Sequence, residues 1–341
     1  MSVPKPQTSP ASLSRGYFVA LTGILIWSTT GVLLRYINQH YSFPPLLLAF
    51  WRDLFAFILM ALGLLVIRRS LLRVPRRQWR FMLLYGILMS LFNGFWIISV
   101  ALNGAAVSTL LVYSSAAITA IVAWPLFGEI LTLPKTIAVV LSLFGCVLVA
   151  GAHDPAVWQS NPAGILVGFA SGLGLTGYSL MGTEASRRGI SSWTALMYTF
   201  GIAAALLLVY DLAFPQIGGM QVGSRDLIPD VDLTAWALVL LNAAVPSIGG
   251  YGLYTLALTM MPTSIVNLLA TLEPSLTAVQ AYILLKERFT LPQIMGSLLI
   301  IAGMVVLRWM ESPPKKTRYI SPIHSQELNK PFNPEKRDIS G

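Results

Sequence analysis

The chain has 341 residues, 55% of them hydrophobic and 11% charged, with a mean hydropathy of +0.69. A soluble domain cannot bury that much apolar surface and keep a wettable exterior, so lipid has to cover most of the outside. The formal charge of +9 would suit a nucleic-acid binder, but the basic residues flank apolar runs, which reads as membrane topology and contact with anionic lipid, with no nucleic-acid partner.

Ten apolar stretches follow one another, each near the ~20 residues that cross a ~30 Å hydrocarbon layer. They are continuous runs, not the apolar and polar alternation of a membrane barrel, and they predict an all-α polytopic membrane protein with ten transmembrane helices. Residues 1–15, rich in Ser and Pro, form a polar tail. The first stretch, 17–37, is too long and too plainly followed by others to be a cleaved leader, and it carries Trp27, Ser28 and Thr30. The second, 46–67, is interrupted by Arg52 and Asp53. As sequence neighbours these two point to different sides of a helix, so each is expected to need another partner, with Arg52 reaching toward the outer interface along its own stem.

Stretch 81–101 brings Asn93 and Trp96, and 105–127 brings Tyr113, Ser115 and Thr119. Stretch 136–152 holds Cys146, the single cysteine, read as a small apolar side chain; no disulfide or thiolate cluster can form within the chain. In the second half, 163–183 carries Thr176 and Tyr178, 193–213 follows, and 234–258 contains Asn242 and Tyr251 with Pro246, Gly249, Gly250 and Gly252, which loosen the helix. Stretch 262–285 carries Asn267, Thr271, Glu273, Pro274, Thr277 and Gln280, and 291–309 ends the series. The tail 311–341, with Pro-Pro and Lys-Lys pairs and few apolar residues, reads as disordered.

Eighteen of the 23 Lys and Arg residues fall on one side if the N-terminus is cytoplasmic, while Arg35, Arg225, Lys286 and Arg288 fall on the other and Arg52 lies within a span. That split places both termini in the cytoplasm. The longest loop, 214–233, is then external.

The chain also repeats itself. Glu129-x-x-Thr132-Leu133-Pro134 returns as Glu287-x-x-Thr290-Leu291-Pro292 and Gly145 returns as Gly303, at an offset of 158 residues. Nearer the start the offset is 148, pairing Gly16 with Gly164, Val19 with Val167, Leu48 with Leu196, Ser28 with Thr176 and Thr30 with Tyr178. Five helices per half is an odd number, so the second half is expected to sit inverted relative to the first, the geometry in which a central site opens first to one side and then to the other.

Glu273 lies near the bilayer midplane, where an ionised carboxylate is costly unless paired, watered or protonated. Pro274 removes an N–H and frees the carbonyl of Ala270. Thr277 and Gln280 share the face of Glu273, and at offset 158 Glu273 and Thr277 correspond to Ser115 and Thr119. Glu273 either contacts a cationic group or exchanges a coupling proton at a substrate pathway, or is a structural carboxylate, protonated or paired with Arg52. Trp27, Asn93, Trp96, Tyr113, Asn242, Tyr251 and Asn267 could wall a cavity for an amphipathic solute, or pack helices.

The run from Leu253 to Pro274, LYTLALTMMPTSIVNLLATLEP, continued by Leu285-Lys286-Glu287-Arg288, resembles the second EamA domain of the drug/metabolite transporter superfamily. Val100-Ala101-Leu102 with Gly128-Glu129-Ile130-Leu131-Thr132 is similar to the first, although Ser115-Ala116 stands where the second half has Glu273-Pro274. The resemblance implies two five-helix repeats, 16–152 and 163–309, around a central cavity. It also implies a secondary carrier in the plasma membrane that exports amino acids, metabolites or drugs; it names no substrate and no oligomeric state.

No G-x-x-x-x-G-K-[ST] loop is present, and His40, His153 and His324 fall in loops or a tail, so neither nucleotide hydrolysis nor a histidine-based metal or catalytic site is expected inside the bundle. No cofactor is expected. A channel or a sensor without flux is the competing reading, and an intramembrane enzyme lies further off.

Overall fold

A computed structural model describes residues 10–310 other than 42, 159, 160, 218, 219, 287 and 289. Its helices are α1 (Pro10–Trp27), α2 (Thr29–His40), α3 (Pro45–Ile67), α4 (Trp79–Tyr113), α5 (Ser115–Phe127), α6 (Leu133–Val149), α7 (Pro162–Arg187), α8 (Ser192–Ala213) and α9 (Leu233–Asn242). A π-helix, Ala243–Tyr251, leads into α10 (Gly252–Ala257), followed by α11 (Thr263–Ala270), α12 (Glu273–Leu285) and α13 (Leu291–Met310). Local chemistry sets several ends. Pro45, Pro134, Pro162 and Pro274 occupy first-turn positions, where a missing N–H costs nothing, and Asn161 and Asp232 accept hydrogen bonds from the exposed amides of Ala163 and Ala235, each at 2.9 Å.

The chain is an integral multi-pass membrane protein. Among the described residues, eight stretches are long and apolar enough to cross a bilayer, and the 17-residue α6 is a shorter apolar helix. The remaining stretch, expected as one span over 262–285, is divided at Thr271-Leu272 into α11 and α12. The first expected span is likewise interrupted, at Ser28, between α1 and α2. The helix α4 runs for 35 residues without a break in its backbone pattern, yet Ser99 Oγ and Ser108 Oγ are 2.8 Å apart. Nine residues of straight helix would separate their backbones by about 13.5 Å, so the chain turns back between them, where the sequence placed a loop.

The tails differ from expectation in one respect: helix α1 begins at Pro10, within the segment read as tail, while 1–9 and 311–341 lie outside the described residues. The loop 214–233 is not wholly irregular. It carries a two-stranded antiparallel ribbon, β1 (Gln216–Ile217) with β2 (Met220–Gln221), and the Val222 carbonyl accepts the Leu46 N–H at 2.7 Å, holding the loop on the start of α3.

The internal repeat is visible in the helix limits. The helices α5 and α12 have 13 residues each and are offset by 158, and both end in a left-handed residue, Gly128 at φ 67° and Lys286 at φ 57°. Packing is reciprocal as well. A Cβ on Gly145 of α6 would meet Ile300 and the Gly296 carbonyl of α13 at 2.5 and 2.6 Å, while one on Gly303 of α13 would meet the Ala138 carbonyl and Ser142 of α6 at 3.0 and 3.1 Å. Those four neighbours are themselves related by the offset. Gly16 abuts Met261 as Gly164 abuts Asn103, another exchanged pair. Contacts that swap in this way define a local twofold relation between the halves.

Candidate functional site

A cavity of about 650 Å³ runs into the bundle from one end. Its rim is formed by Gln39 in the last turn of α2, Pro45 at the start of α3, Ala105 at the turn of α4, Ala150 after α6, Gln221 of β2, Arg288 before α13 and Gln293 in its first turn. Deeper, its walls include Trp27, Thr30, Arg52, Asn93, Trp96, Tyr113, Tyr251, Glu273, Pro274 and Thr277. Of these, the sequence singled out Pro274 as a helix breaker and the rest as polar, aromatic or charged interruptions of apolar helices; it gave no signal for Phe92, Leu48, Ala49, Val112 and Ala278, which line the same space as ordinary apolar residues.

The charged pair in α3 departs from expectation. Arg52 is only 4% exposed and Asp53 wholly buried, so Arg52 does not reach out to an interface. It turns to its own neighbour: Nε donates to Asp53 Oδ1 at 2.9 Å, and Nη2 lies 2.8 Å from the same oxygen, out of line for a hydrogen bond. Asp53 Oδ2 accepts from Asn93 Nδ2 at 3.3 Å. Helical neighbours diverge at Cβ, but the long arginine stem bends back, so that each buried charge relieves the other.

Glu273 is therefore not paired with Arg52. It is the first residue of α12, so its carboxylate belongs to the first turn, at the positive end of a short helix. Thr277 Oγ1 lies 3.5 Å from Glu273 Oε1 and donates to the Ser28 carbonyl at 3.0 Å, while Gln280 Nε2 donates to Ser28 Oγ at 2.9 Å. The two interruptions, at Ser28 and before Glu273, are thus stitched together. Gly31 permits this approach, since a Cβ there would come within 2.9 Å of Thr277 Cγ2.

Other candidates form a buried polar knot beside the cavity. Asn267 Nδ2 donates to Thr119 Oγ1 at 2.7 Å and to Ser179 Oγ at 3.2 Å, and Ser115 Oγ donates to Asn267 Oδ1 at 3.3 Å. Tyr178 pairs with Thr255 at 3.1 Å, and Thr271 bonds back to the Leu268 carbonyl at 2.7 Å. Asn242 is fully buried at the start of the π-helix, and neither amide atom has a hydrogen-bond partner. Pro246 and the glycines do loosen this helix, into π geometry, and Gly250 lets it press on the Trp27 backbone, 2.8 Å from a Cβ placed there.

Below the cavity, aromatic rings close the bundle. Trp27 packs at a tilt on Tyr251 and edge-on to Tyr254 with centroids 4.5 and 5.3 Å apart, Tyr178 lies 6.4 Å from Tyr251, and Tyr85 lies 4.9 Å from Tyr178. At the far end the loop between α5 and α6 is latched to α11. The Glu129 carboxylate accepts the backbone N–H groups of Thr263 and Ser264 at 2.7 and 3.3 Å and the Ser264 hydroxyl, with Lys135 Nζ 3.4 Å away. Pro262 offers α11 no side-chain cap, so Glu129 supplies one from the other half. The sequence showed Glu129 only as a repeated motif residue; its counterpart Glu287 lies outside the described residues.

Interrupted helices meeting at a cavity with polar and aromatic groups in its walls, part-way through an apolar bundle, define a class of membrane transport proteins. The chain belongs to the EamA-like transporter family, whose model matches residues 14–151 and again 162–309. It is 26% identical over 255 residues to an uncharacterized transporter of Archaeoglobus fulgidus, covering 75% of this chain and 86% of that protein. A second uncharacterized transporter, from Synechocystis, is 22% identical over 232 residues, covering 67% of this chain and 66% of its own length. A solved crystal structure shares the fold with a TM-score of 0.69 at 18% identity, over 86% of this chain and 98% of that one.

Proposed function

We propose that this chain is a secondary carrier made of two inverted five-helix halves, 16–152 and 163–309, which exports small metabolites, amino acids or amphipathic drugs across the plasma membrane by alternating access. The reciprocal packing of Gly145 and Gly303 carries the reading. Halves that exchange roles at their contacts have a partner state in which the open and closed ends trade places, and a cavity open at one end only is half of that cycle. The basic residues put the closed end, with Glu129 and Arg187, in the cytoplasm together with both termini, so the cavity faces outward. Glu273, at the foot of the cavity, is the group that meets the cationic part of the solute or a coupling proton.

The test is counterflow in proteoliposomes. Labelled phenylalanine and labelled phenethylamine serve as probes of a zwitterionic and a cationic cargo. Saturable uptake driven by unlabelled solute inside supports the carrier, and a large unsaturable current through single molecules overturns it.

A further inference from the structure

We infer that Arg52 is the docking point for a carboxylate of the transported solute, an assignment that deepens the carrier reading and rests on it. A guanidinium carries its N–H donors in a rigid plane and is best met by two oxygens side by side. Asp53 cannot meet Arg52 in that way. Both Nε and Nη2 address the single oxygen Oδ1, only Nε is aligned for a hydrogen bond, and Oδ2 is held by Asn93. Half of the fork is left without an acceptor at a residue 4% exposed.

The open space that Arg52 borders is the cavity, and the same cavity is lined by Thr30, whose buried Oγ1 also has no hydrogen-bond partner. A buried donor left unmet costs more than an ordinary hydrogen bond contributes, so a site of this kind favours the ligand that completes it. A carboxylate does so and brings the opposite charge; an alcohol meets the donor without a charge, and an ammonium group has no acceptor to offer. Trp27, Trp96, Tyr113 and Tyr251 in the walls suit an apolar or aromatic body, and Glu273 lines the same space with the opposite charge. The cargo class is therefore a small amphipathic solute bearing both a carboxylate and an amine. A bare amine leaves Arg52 unmet, and a bare carboxylate leaves Glu273 unmet.

The experiment follows thermal unfolding of the purified full chain with phenylalanine, 3-phenylpropionate, phenethylamine and phenylalaninamide, which share one ring and differ in charge; a ligand that binds only the folded form raises the transition. Phenylalanine is expected to act at concentrations about tenfold lower than phenethylamine or phenylalaninamide. The double variant Arg52→Gln with Asp53→Asn removes the two charges together, so neither is stranded. It should weaken phenylalanine and 3-phenylpropionate about 100-fold and change phenethylamine less than about threefold. Thr30→Val, which keeps the side-chain shape, should weaken the two carboxylates about fivefold and supplies the answer if the double variant does not fold. Equal losses for all four probes, or amide and amine binding as tightly as phenylalanine, overturn the assignment. Counterflow of phenethylamine that the double variant leaves intact, without any preference for carboxylates, sinks the Arg52 site and spares the carrier. Carboxylate-selective stabilisation without any counterflow sinks the carrier and spares the site.

Discussion

Ser115 and Glu273 each open a helix of 13 residues, and they stand 158 positions apart. The backbone is interrupted at the same place in both halves, before α5 and before α12, but only the second interruption carries a carboxylate. Scaffold and chemistry are thus separable, the first shared by the halves and the second confined to one. Glu273→Gln preserves shape and hydrogen bonding while removing the charge. It is expected to flatten the dependence of proteoliposome uptake on external pH; an unchanged rate with an unchanged pH profile would remove the coupling role.

Arg52 and Asp53 should behave as a unit in stability. Arg52→Ala leaves Asp53 buried without its cation and is expected to cost about 3–5 kcal/mol. The paired change to Gln and Asn should recover most of that loss, since no lone charge is stranded. Thermal unfolding of the two variants in one detergent makes the comparison, and equal destabilisation would show that the charges are independent.

The Glu129 latch sets access at the closed end. Glu129→Gln combined with Lys135→Met keeps the pair neutral and removes charge-assisted bonds to the start of α11, each worth about 1.5–3 kcal/mol. The expected result is faster thiol labelling of a cysteine placed by Met261→Cys, a buried position beside the latch, against a background in which native Cys146 is buried. Labelling no faster than with Glu129 intact would mean that the latch does not hold that end shut.

The packing of α6 on α13 predicts an unequal pair of glycine effects. Gly145→Ala drives a methyl into the Gly296 carbonyl at 2.6 Å and should cost about 1–3 kcal/mol. Gly303→Ala meets its neighbours at 3.0 Å or more and should cost about 1 kcal/mol or less. Unfolding temperatures that ranked the two in the reverse order would contradict the close approach seen here.

Much of this architecture could be read from the residues. Continuous apolar runs of spanning length located the membrane stretches, because a bilayer tolerates few other patterns, and Pro274 marked the interruption next to Glu273. The turn within α4 was legible as the break between stretches 81–101 and 105–127 even though its backbone is helical throughout. Harder to foresee was Arg52 folding back on Asp53: Cβ directions argue against it, and the reach of the long arginine stem overrides them. Ser115, Thr119 and Asn267 looked like cavity walls because polar residues in apolar helices attract that reading. In three dimensions they satisfy one another beside the cavity, and spacing along single helices cannot reveal partners on different ones. The Glu129 cap was invisible for the same reason, being a bond between residues more than 130 positions apart.

The rings of Trp27, Tyr251, Tyr254, Tyr178 and Tyr85 also shape the electrical profile of the molecule. Water entering the cavity from its open end would carry that end's potential down to the rings, so the transmembrane voltage would fall across the ring layer instead of the whole bilayer. An elementary charge handed from one side of that layer to the other crosses nearly the full field, worth about 2.3 kcal/mol per 100 mV. Movement of a bare amine is then driven or opposed by the resting potential, whereas a solute whose charges cancel passes with no electrical work.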